Sequence, residues 1–244
     1  MLLPFSDLLI FKQKIKGVIH VGAHELEEMQ SYVQKRVKKI IWIEANPFKY
    51  KFIEEKIQSH EHMILGKIAA GCSEEKVKLN IANNGVSSSL LKFGSHKKYY
   101  PNVNFISEVE VPQMPLDKWL DSNIKDKFQY NFLNIDIQGY ELEALKGMKK
   151  QLKNIDFIYM EVNFEDLYKD CPNINDIDRF LLDFNFHRVG LFKTAYKWGD
   201  AIYTRKYLLI NRIYYTLYKK IFKPINFIFR GLKKIRKNIF EDLL

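Results

Sequence analysis

Three residues able to bind a ligand or move a proton follow short runs of β-branched, apolar residues. Gly22 follows the first such run, Glu44 closes the second, and Asp136 closes the fourth. Because ligands of open α/β sheets bind beyond the carboxyl ends of the strands, we expect these residues to meet. Their types and spacing predict a ligand site shared by several strand ends.

Glu44 and Gly22 indicate that the ligand contains a nucleoside. A carboxylate offers two oxygens at the spacing of vicinal hydroxyls, so an acid ending the second strand suits a ribose diol. A glycine lets the backbone approach the ligand, and the next helix offers free N–H groups. Residues 22–27 hold one glycine where a dinucleotide fingerprint has three, and the negative Glu25 lies where a pyrophosphate would lie. NAD and FAD are therefore disfavoured, and S-adenosylmethionine, with its cationic sulfonium, fits better.

The elements that position these residues alternate between strand and helix, which predicts a doubly wound α/β sheet. The predicted core strands are 17–21, 39–44, 63–70, 130–136 and 155–162, followed by a hairpin-like pair at 186–191 and 201–203. The predicted helices are 25–36, 47–58, 117–121, 140–152 and 174–184. Between residues 76 and 111 apolar and polar residues alternate around a turn at 83–85, which predicts antiparallel strands inserted or appended at a sheet edge.

The charge of the chain is concentrated at its carboxyl end. The 244 residues are 47% hydrophobic and 28% charged, as in globular domains, with a net charge of +10. Of the 39 basic and 29 acidic residues, 28 and 27 lie in residues 1–204. Because that part is nearly neutral, no nucleic-acid partner is expected.

Residues 1–206 are predicted to form one catalytic domain, and residues 207–244 a basic amphipathic helical tail. Apolar residues recur in the tail at steps of three and four, with Pro224 as an interruption. Such a tail suits an anionic membrane surface or a partner, and packing against the body is the alternative. Two cysteines cannot form a disulfide framework. The sequence shows neither the features of a signal peptide nor an apolar stretch long enough for a membrane-spanning helix. We therefore expect a cytoplasmic protein that contacts a membrane peripherally.

Four stretches, at residues 18–24, 44–47, 87–91 and 134–147, resemble the FkbM family of S-adenosylmethionine-dependent methyltransferases. The last, Asn-Ile-Asp-Ile-Gln-Gly-Tyr-Glu-Leu-Glu-Ala-Leu-Lys-Gly, is the most specific. The resemblance covers about residues 16–206 of the chain. It implies a class I methyltransferase, Rossmann-like sheet of seven strands with the last antiparallel. It also implies O-methylation of a hydroxyl, often on a sugar or a polyketide.

The sequence departs from the family pattern at three positions. His20 replaces the acid of the first strand, and Leu26 replaces the second glycine of the loop. Gln138 stands where many relatives carry Glu, and an amide can form hydrogen bonds but cannot remove a proton.

The strand ends and the resemblance together assign roles to particular residues. The residues predicted to contact the cofactor are Gly22, Ala23, His24, Glu44, Ala45, Asn46, Ala70, Asp136 and Gln138. Because a sugar hydroxyl is a poor nucleophile at neutral pH, a base should remove its proton, and the candidates are His96, Asp136 and Asp200. Glu161 and Asn163 are expected to line the pocket of a small-molecule or glycan acceptor. No residues are assigned to a metal.

Three other functions remain as alternatives. The chain could bind the cofactor without catalysis, which Leu26 and Gln138 favour. A nucleic-acid methyltransferase is disfavoured, because such enzymes usually follow the fourth strand with an Asn/Asp-Pro-Pro-aromatic motif and residues 136–139 are Asp-Ile-Gln-Gly. A glycosyltransferase is disfavoured by the lack of an Asp-x-Asp motif after an early strand.

Overall fold

The computed structural model describes residues 2, 5, 8 and 15–205 of the chain. Its strands are β1 (Gly17–Val21), β2 (Lys39–Glu44), β3 (Met63–Lys67), β4 (Ala69–Ala70), β5 (Glu75–Ala82), β6 (Phe105–Met114), β7 (Phe132–Ile135), β8 (Phe157–Asn163), β9 (His187–Lys193) and β10 (Trp198–Thr204). Its α-helices are α1 (Met29–Gln34), α2 (Pro47–Ile57), α3 (His96–Tyr99), α4 (Leu116–Asn123), α5 (Glu141–Lys146) and α6 (Ile174–Leu182).

Seven strands form one sheet in the order β3-β2-β1-β7-β8-β10-β9. The neighbours from β3 to β8 run parallel, and β10 runs antiparallel to both β8 and β9. This arrangement confirms the predicted seven-stranded sheet whose last strand is antiparallel. β2 and β3 lie on one side of β1, and the later strands β7 and β8 lie on the other side, so the strand order reverses between β1 and β7. A crevice for a ligand is expected at the carboxyl ends of these two strands.

A second, three-stranded sheet has the order β4-β6-β5. β5 and β6 pair antiparallel, as the alternating pattern between residues 76 and 111 predicts. The predicted strand 63–70 is divided, because β3 pairs with β2 in the main sheet whereas β4 pairs with β6 in the second. The chain therefore passes from one sheet to the other after Lys67.

α1 and α5 are much shorter than predicted, whereas α2 and α6 end only one or two residues early. α1 begins at Met29 rather than at residue 25, because His24 and Leu26 have φ angles of 44° and 62° and turns occupy residues 24–25 and 27–28. After α5, the Asp117 carboxylate accepts hydrogen bonds from the N–H groups of Lys150 (2.7 Å) and Gln151 (2.8 Å), where a 3-10 helix begins. The predicted helix 140–152 is therefore interrupted after Lys146.

The main core lies between the sheet and the helices that follow the strands. Leu145 and Met148 are fully buried in it, as the apolar spacing after Tyr140 predicts, and Leu142 packs at its edge. Full burial of one such side chain stabilises the fold by about 1.5–3 kcal/mol. This packing fixes α5 and the residues after it against the main core.

The predicted tail, residues 207–244, lies outside the described residues. Within the described part of the chain, no helix is both long enough and apolar enough to span a bilayer. Cys72 and Cys171 are free thiols, one exposed and the other buried.

Candidate functional site

The turn at Gly22 brings the ends of three strands together. The N–H groups of Gly22 and Ala23 both donate to the carbonyl of Ile43, at 2.9 and 3.0 Å. The N–H of Asp136 donates to the carbonyl of Val21 at 3.0 Å. Gly22 has a φ angle of 92°, and a Cβ there would lie 2.0 Å from the carbonyl oxygen of Asp136. Only glycine fits this position, which joins β1, β2 and β7.

The Glu44 carboxylate lies buried beside this turn. It accepts hydrogen bonds from the N–H of His24 (2.8 Å) and the N–H of Asn46 (2.7 Å), and burial raises its pKa. Each carboxylate oxygen has a second lone pair, so Glu44 can still accept from a ligand. The side chain that caps α2 is Asn46, whose Oδ1 accepts from the N–H of Phe48 at 3.0 Å. Glu44 is therefore not needed as the side-chain cap of that helix.

The first cleft, of about 640 Å³, opens at the carboxyl ends of β1, β2 and β7. Apolar side chains form most of its walls, including Ile43 of the main sheet, Leu79 of the second sheet and Ile68 between β3 and β4. The predicted cofactor residues that line it are Gly22, His24, Glu44, Ala45, Asn46, Ala70, Asp136 and Gln138. Ala23 is an exception, because its side chain is fully buried and lines neither this cleft nor the next. Sequence reasoning missed Val86 and Tyr140, which also line the first cleft.

A second, more polar cleft of about 1210 Å³ adjoins the first. The residues that line both clefts are Gly22, His24, Val86, Asp136 and Gln138. The residues that line the second alone are His20, Glu27, Glu28, Asn84, Ser87, His96, Tyr100, Glu161, Leu167, Tyr168 and Trp198. A nucleoside-containing ligand in the first cleft and another molecule in the second would therefore meet at Asp136 and Gln138.

Gln138 is fixed at both ends of its amide. Its Nε2 donates to Asp136 Oδ1 (2.7 Å) and to Glu161 Oε2 (3.4 Å), and its Oε1 accepts from the hydroxyl of Tyr168 (2.6 Å). Its backbone has a φ angle of 58°, and its carbonyl accepts from the hydroxyl of Ser89 at 2.7 Å. Gln138 therefore orients the carboxylates of the site, which a hydrogen-bonding amide can do without removing a proton.

Three carboxylates gather beneath Gln138. Asp136, Glu141 and Glu161 each offer an oxygen within 4.8 Å of the others, a spacing that could hold a cation. One Glu141 oxygen, however, accepts from the N–H groups of Ile137 (3.0 Å) and Gly139 (3.1 Å), and Gln138 turns its N–H₂ group toward the other two residues. Burial, and then the charge of Asp136, raises the pKa of Glu141 to about 7 and that of Glu161 well above its usual range. Glu141 and Glu161 therefore ionise less readily than exposed carboxyl groups.

We expect a Glu161→Gln variant to gain stability over the parent as the pH rises. A carboxyl group with a raised pKa in the folded state keeps its proton while the unfolded chain releases it. Its contribution to stability is therefore present below its ordinary pKa of 4.5 and declines as the pH rises toward the folded value, which is about 7 for Glu141. Replacing Glu161 with the neutral Gln removes the cost of ionising a buried acid close to Asp136 and Glu141, which is largest in the upper part of that pH range.

Thermal melts of Glu161→Gln and parent at pH 5 and pH 8 measure the effect, with the exposed Glu61→Gln as a control. The gain should be larger at pH 8. The histidines, including His20 with its lowered pKa, are the same in both proteins and cancel in the comparison. Equal differences at the two pH values would contradict the assignment.

His20, in place of the family's acid, is part of a buried hydrogen-bond chain. Asn134 Nδ2 donates to the hydroxyl of Tyr32 (2.8 Å), which lies 2.9 Å from His20 Nδ1, and His20 Nε2 lies 3.2 Å from the carbonyl of Gly22. Burial lowers the pKa of His20 to about 4, so the ring is neutral at neutral pH. With its proton on Nε2, His20 donates to the carbonyl of Gly22, and its Nδ1 accepts from the hydroxyl of Tyr32. His20 then stabilises the turn at Gly22.

His96 places a neutral imidazole in the second cleft. Its backbone N–H donates to the carbonyl of Leu167 (3.1 Å), and its ring stacks on Phe93 with 4.4 Å between centroids. The residue is only 4% exposed, and Nδ1 is buried with no hydrogen-bond partner among the described residues. Burial, and then the charge of Lys97, lowers the pKa of His96. The base predicted from the sequence is therefore at the cleft and neutral at pH 7.

The structure does not place Asp200, a candidate base from the sequence, at either cleft. Asp200 is 0% exposed and lines neither cleft. Its Oδ2 accepts from the hydroxyl of Tyr159 and from the N–H of Leu2, and burial raises its pKa to about 6. Asn163 is likewise buried and lines neither cleft, whereas Glu161 lines the second as expected.

Tyr100, Tyr168 and Trp198 line the second cleft, although sequence reasoning did not place them there. From the sequence alone, Tyr99 and Tyr100 are expected to pack against other residues rather than to bind a ligand. The Tyr168–Gln138 bond joins residues 30 positions apart, and the bond from Trp198 Nε1 to Tyr100 (2.9 Å) joins residues 98 apart. No local pattern signals contacts of this range.

Comparisons with known proteins relate most of the chain to methyltransferases. The model of the methyltransferase FkbM domain matches residues 20–188. The 2-O-methyltransferase NoeI of Sinorhizobium fredii is 21% identical over 181 residues, which cover 68% of this chain and 74% of NoeI.

Two solved structures illustrate the structural likeness. The ribosomal protein L11 methylase of Lactobacillus delbrueckii subsp. bulgaricus has a TM-score of 0.48 at 11% identity, covering 82% of this chain and 75% of its own. TrmK of M. capricolum, in complex with S-adenosylhomocysteine, has a TM-score of 0.45 at 7% identity, covering 85% and 73%.

Proposed function

The chain belongs to the FkbM methyltransferase family, and from this premise we propose that it methylates a hydroxyl group of a sugar, a glycan or a related small molecule. The family model covers residues 20–188 of the 244, so the protein is a methyltransferase that uses S-adenosylmethionine. The hydroxyl acceptor and its class are the proposal.

The residues of the first cleft fit the cofactor. Gly22 leaves no room for a side chain and lets the backbone approach a ligand, and Glu44 keeps acceptor capacity suited to a ribose diol. Ile68 and Leu79 offer apolar surface for a flat base. The buried Nε2 of His24 has no partner among the described residues and lies at the wall common to both clefts. When bound, S-adenosylmethionine supplies a methyl group on a cationic sulfonium, for which the nearby Asp136 is a suitable counter-charge.

The single observation that carries the proposal is the neutral His96 ring in a cleft that shares Asp136 and Gln138 with the cofactor cleft. A hydroxyl oxygen needs a base to take its proton as the new bond to carbon forms. His96 accepts this proton as the oxygen–methyl bond forms and the sulfur–methyl bond breaks, and later releases it to solvent. The products are a methyl ether of the acceptor and S-adenosylhomocysteine. Asp136 and the fixed Gln138 amide align the acceptor at the wall between the clefts, and such alignment supplies much of the acceleration of an in-line displacement.

The name of the relative NoeI supports a hydroxyl acceptor, since NoeI is a 2-O-methyltransferase. The test incubates the full chain with S-adenosylmethionine and a panel of sugars and glycans. Release of S-adenosylhomocysteine is measured, and the methylated position is found by mass spectrometry and NMR. Methyl ethers are expected. Transfer to nitrogen only, or to RNA only, would contradict the proposal.

We expect Glu44→Ala to weaken cofactor binding by about 1.5–3 kcal/mol, or roughly 10–150-fold. The change removes the charged acceptor of the ribose diol and also leaves the N–H groups of His24 and Asn46 without their partner. Isothermal titration with S-adenosylhomocysteine measures the loss. Glu54→Ala, an exposed glutamate on α2, is the matched control. A Glu44→Ala protein that melts like the parent and binds equally well would disprove the ribose role.

For the tail, we propose from the sequence that residues 207–244 bind an anionic membrane surface. Basic residues near lipid headgroups contribute about 1 kcal/mol each. The test compares the full chain with a full-length variant in which Lys233, Lys234, Arg236 and Lys237 become Gln. The control variant replaces the exposed lysines Lys51, Lys76, Lys78 and Lys150.

Binding is measured by co-sedimentation with anionic phosphatidylglycerol vesicles, and phosphatidylcholine vesicles, which carry no net charge, serve as the comparison. Only the tail variant should lose binding. Equal binding by all three proteins, or no binding by the parent at low salt, would reject the membrane proposal.

A further inference from the structure

We propose that the second cleft continues outward into a subsite for a further sugar ring, so that the acceptor is an oligosaccharide without anionic groups. This inference rests on the proposed function. It depends on an aromatic rim, defined as Tyr99, Tyr100, Tyr196 and Trp198.

The aromatic rim leads from the cleft to the surface. Tyr100 and Trp198 line the second cleft, and Trp198 Nε1 donates to the hydroxyl of Tyr100 at 2.9 Å. The ring of Tyr196 lies 5.3 Å from that of Tyr100 and 6.5 Å from that of Tyr99. Tyr196 is 48% exposed. A molecule that fills the cleft and extends past Tyr100 would therefore meet the Tyr196 ring.

Polar contacts fix the positions of the residues in the aromatic rim. The Tyr99 hydroxyl donates to Glu165 Oε2 at 2.9 Å, and Glu165 Oε1 pairs with Lys197 at 3.1 Å. The turn between β9 and β10 is fixed by Thr194, whose hydroxyl donates to the carbonyl of Trp198 (2.8 Å) and accepts from the N–H of Tyr196 (3.2 Å). Tyr196 is therefore carried on an ordered turn, and ordering it on binding costs little conformational entropy.

The charges of the cleft select against anions. Four acidic side chains line it, Glu27, Glu28, Asp136 and Glu161. Burial raises the pKa of Glu28 and Glu161. At Glu27 burial is outweighed by the hydrogen bond with His24, which lowers the pKa to about 2, so Glu27 is ionised at neutral pH. No Lys or Arg is among the described residues that line the cleft. Lys98 and Lys197 contact Tyr99 and Glu165 outside the cleft lining. Like charges repel at such a site, so phosphorylated, sulfated or carboxylated sugars are disfavoured and a free amine is tolerated.

The aromatic faces select for sugar rings. An aromatic ring carries negative charge on its face and positive charge at its edge, so it attracts the weakly positive C–H groups on one face of a pyranose. Hydroxyl groups at the ring edge remain free to bond with water. A rim of connected rings suits two linked sugars, one at His96 and the next near Tyr196.

The test is a binding assay of the full chain, loaded with S-adenosylhomocysteine, on an array of glycans. The array holds neutral, amine-bearing and acid-bearing sugars, each as a monosaccharide and as a di- or trisaccharide. Neutral or amine-bearing oligosaccharides should bind about ten-fold or more tightly than their monosaccharides, and acid-bearing ones more weakly.

The Tyr196→Ala variant should bring the ratio of oligosaccharide to monosaccharide affinity close to one, and Tyr196→Phe should keep most of it. Phe128→Ala removes another exposed aromatic residue, one that lines neither cleft, and should leave the ratio unchanged. A preference for acidic glycans, or a ratio that survives Tyr196→Ala, would overturn the subsite alone. Binding of no glycan, together with no methyl ether from any sugar, would overturn the proposed function as well.

Discussion

A His96→Ala variant is expected to lose about 10²–10⁴-fold of the methyl-transfer rate, the range typical for loss of a general base, and to bind the cofactor as tightly as the parent. His96 lines the second cleft only, so its truncation changes the surroundings of the acceptor and leaves the first cleft intact. The variant should therefore show a lower kcat with an unchanged Kd for S-adenosylhomocysteine.

Two measurements separate loss of a base from loss of packing. The His96 ring stacks on Phe93, so His96→Ala also leaves a void, and His96→Gln serves as a fuller side chain that cannot act as a base at neutral pH. Both variants should be slow. The exposed His62→Ala is the control. If His96→Ala and His96→Gln methylate at the parent's rate, His96 is not the base.

The pH dependence of the parent gives a second check on the same residue. A general base must be unprotonated, so the rate falls as the pH drops through its pKa. Because burial lowers the pKa of His96, the acid limb of kcat/KM should lie below the ordinary histidine value. His96→Gln should lack this limb.

The main sheet could be predicted from the sequence because each core strand is a short, separate apolar run. β1 and β2 have the predicted bounds, since glycine and charged residues stand at their ends. The division between β3 and β4 could not be predicted. The apolar pattern continues from Met63 to Ala70, and only pairing with β6, more than 40 residues later, assigns β4 to the second sheet.

Most of the residues predicted to contact the cofactor line the first cleft, because strand order alone brings the ends of β1, β2 and β7 to one edge. Glu44, Gly22 and Asp136 needed no knowledge of distant contacts. Asp200 could not be placed from the sequence, because its environment depends on distant residues. Trp198, at the start of β10, lines the second cleft, whereas the Asp200 carboxylate, two residues further along the strand, is buried and accepts from the hydroxyl of Tyr159 and the N–H of Leu2.

We expect Asp136→Asn to lower turnover by about 100-fold or more while the protein still folds. Asp136 is the carboxylate common to both clefts, and Asn has the same shape but no charge. The Asn Oδ1 can still accept from Gln138 Nε2, now 2.7 Å from Asp136, so the turn should hold. Because Asp136 helps to raise the pKa of Glu141 and Glu161, its neutralisation also lets these buried acids ionise at lower pH.

Kinetics of Asp136→Asn, His96→Gln and the double variant distinguish the roles of the two residues. If both act on the same proton transfer, the double variant should be little slower than the worse single one, since residues that act as a unit are not additive. If Asp136 acts on the cofactor's positive charge instead, the losses multiply and Asp136→Asn also raises the Kd for S-adenosylmethionine. The exposed Asp183→Asn should change neither quantity. If Asp136→Asn transfers methyl groups at the parent's rate, Asp136 takes no part in the chemical step and serves only to accept the hydrogen bond from Gln138.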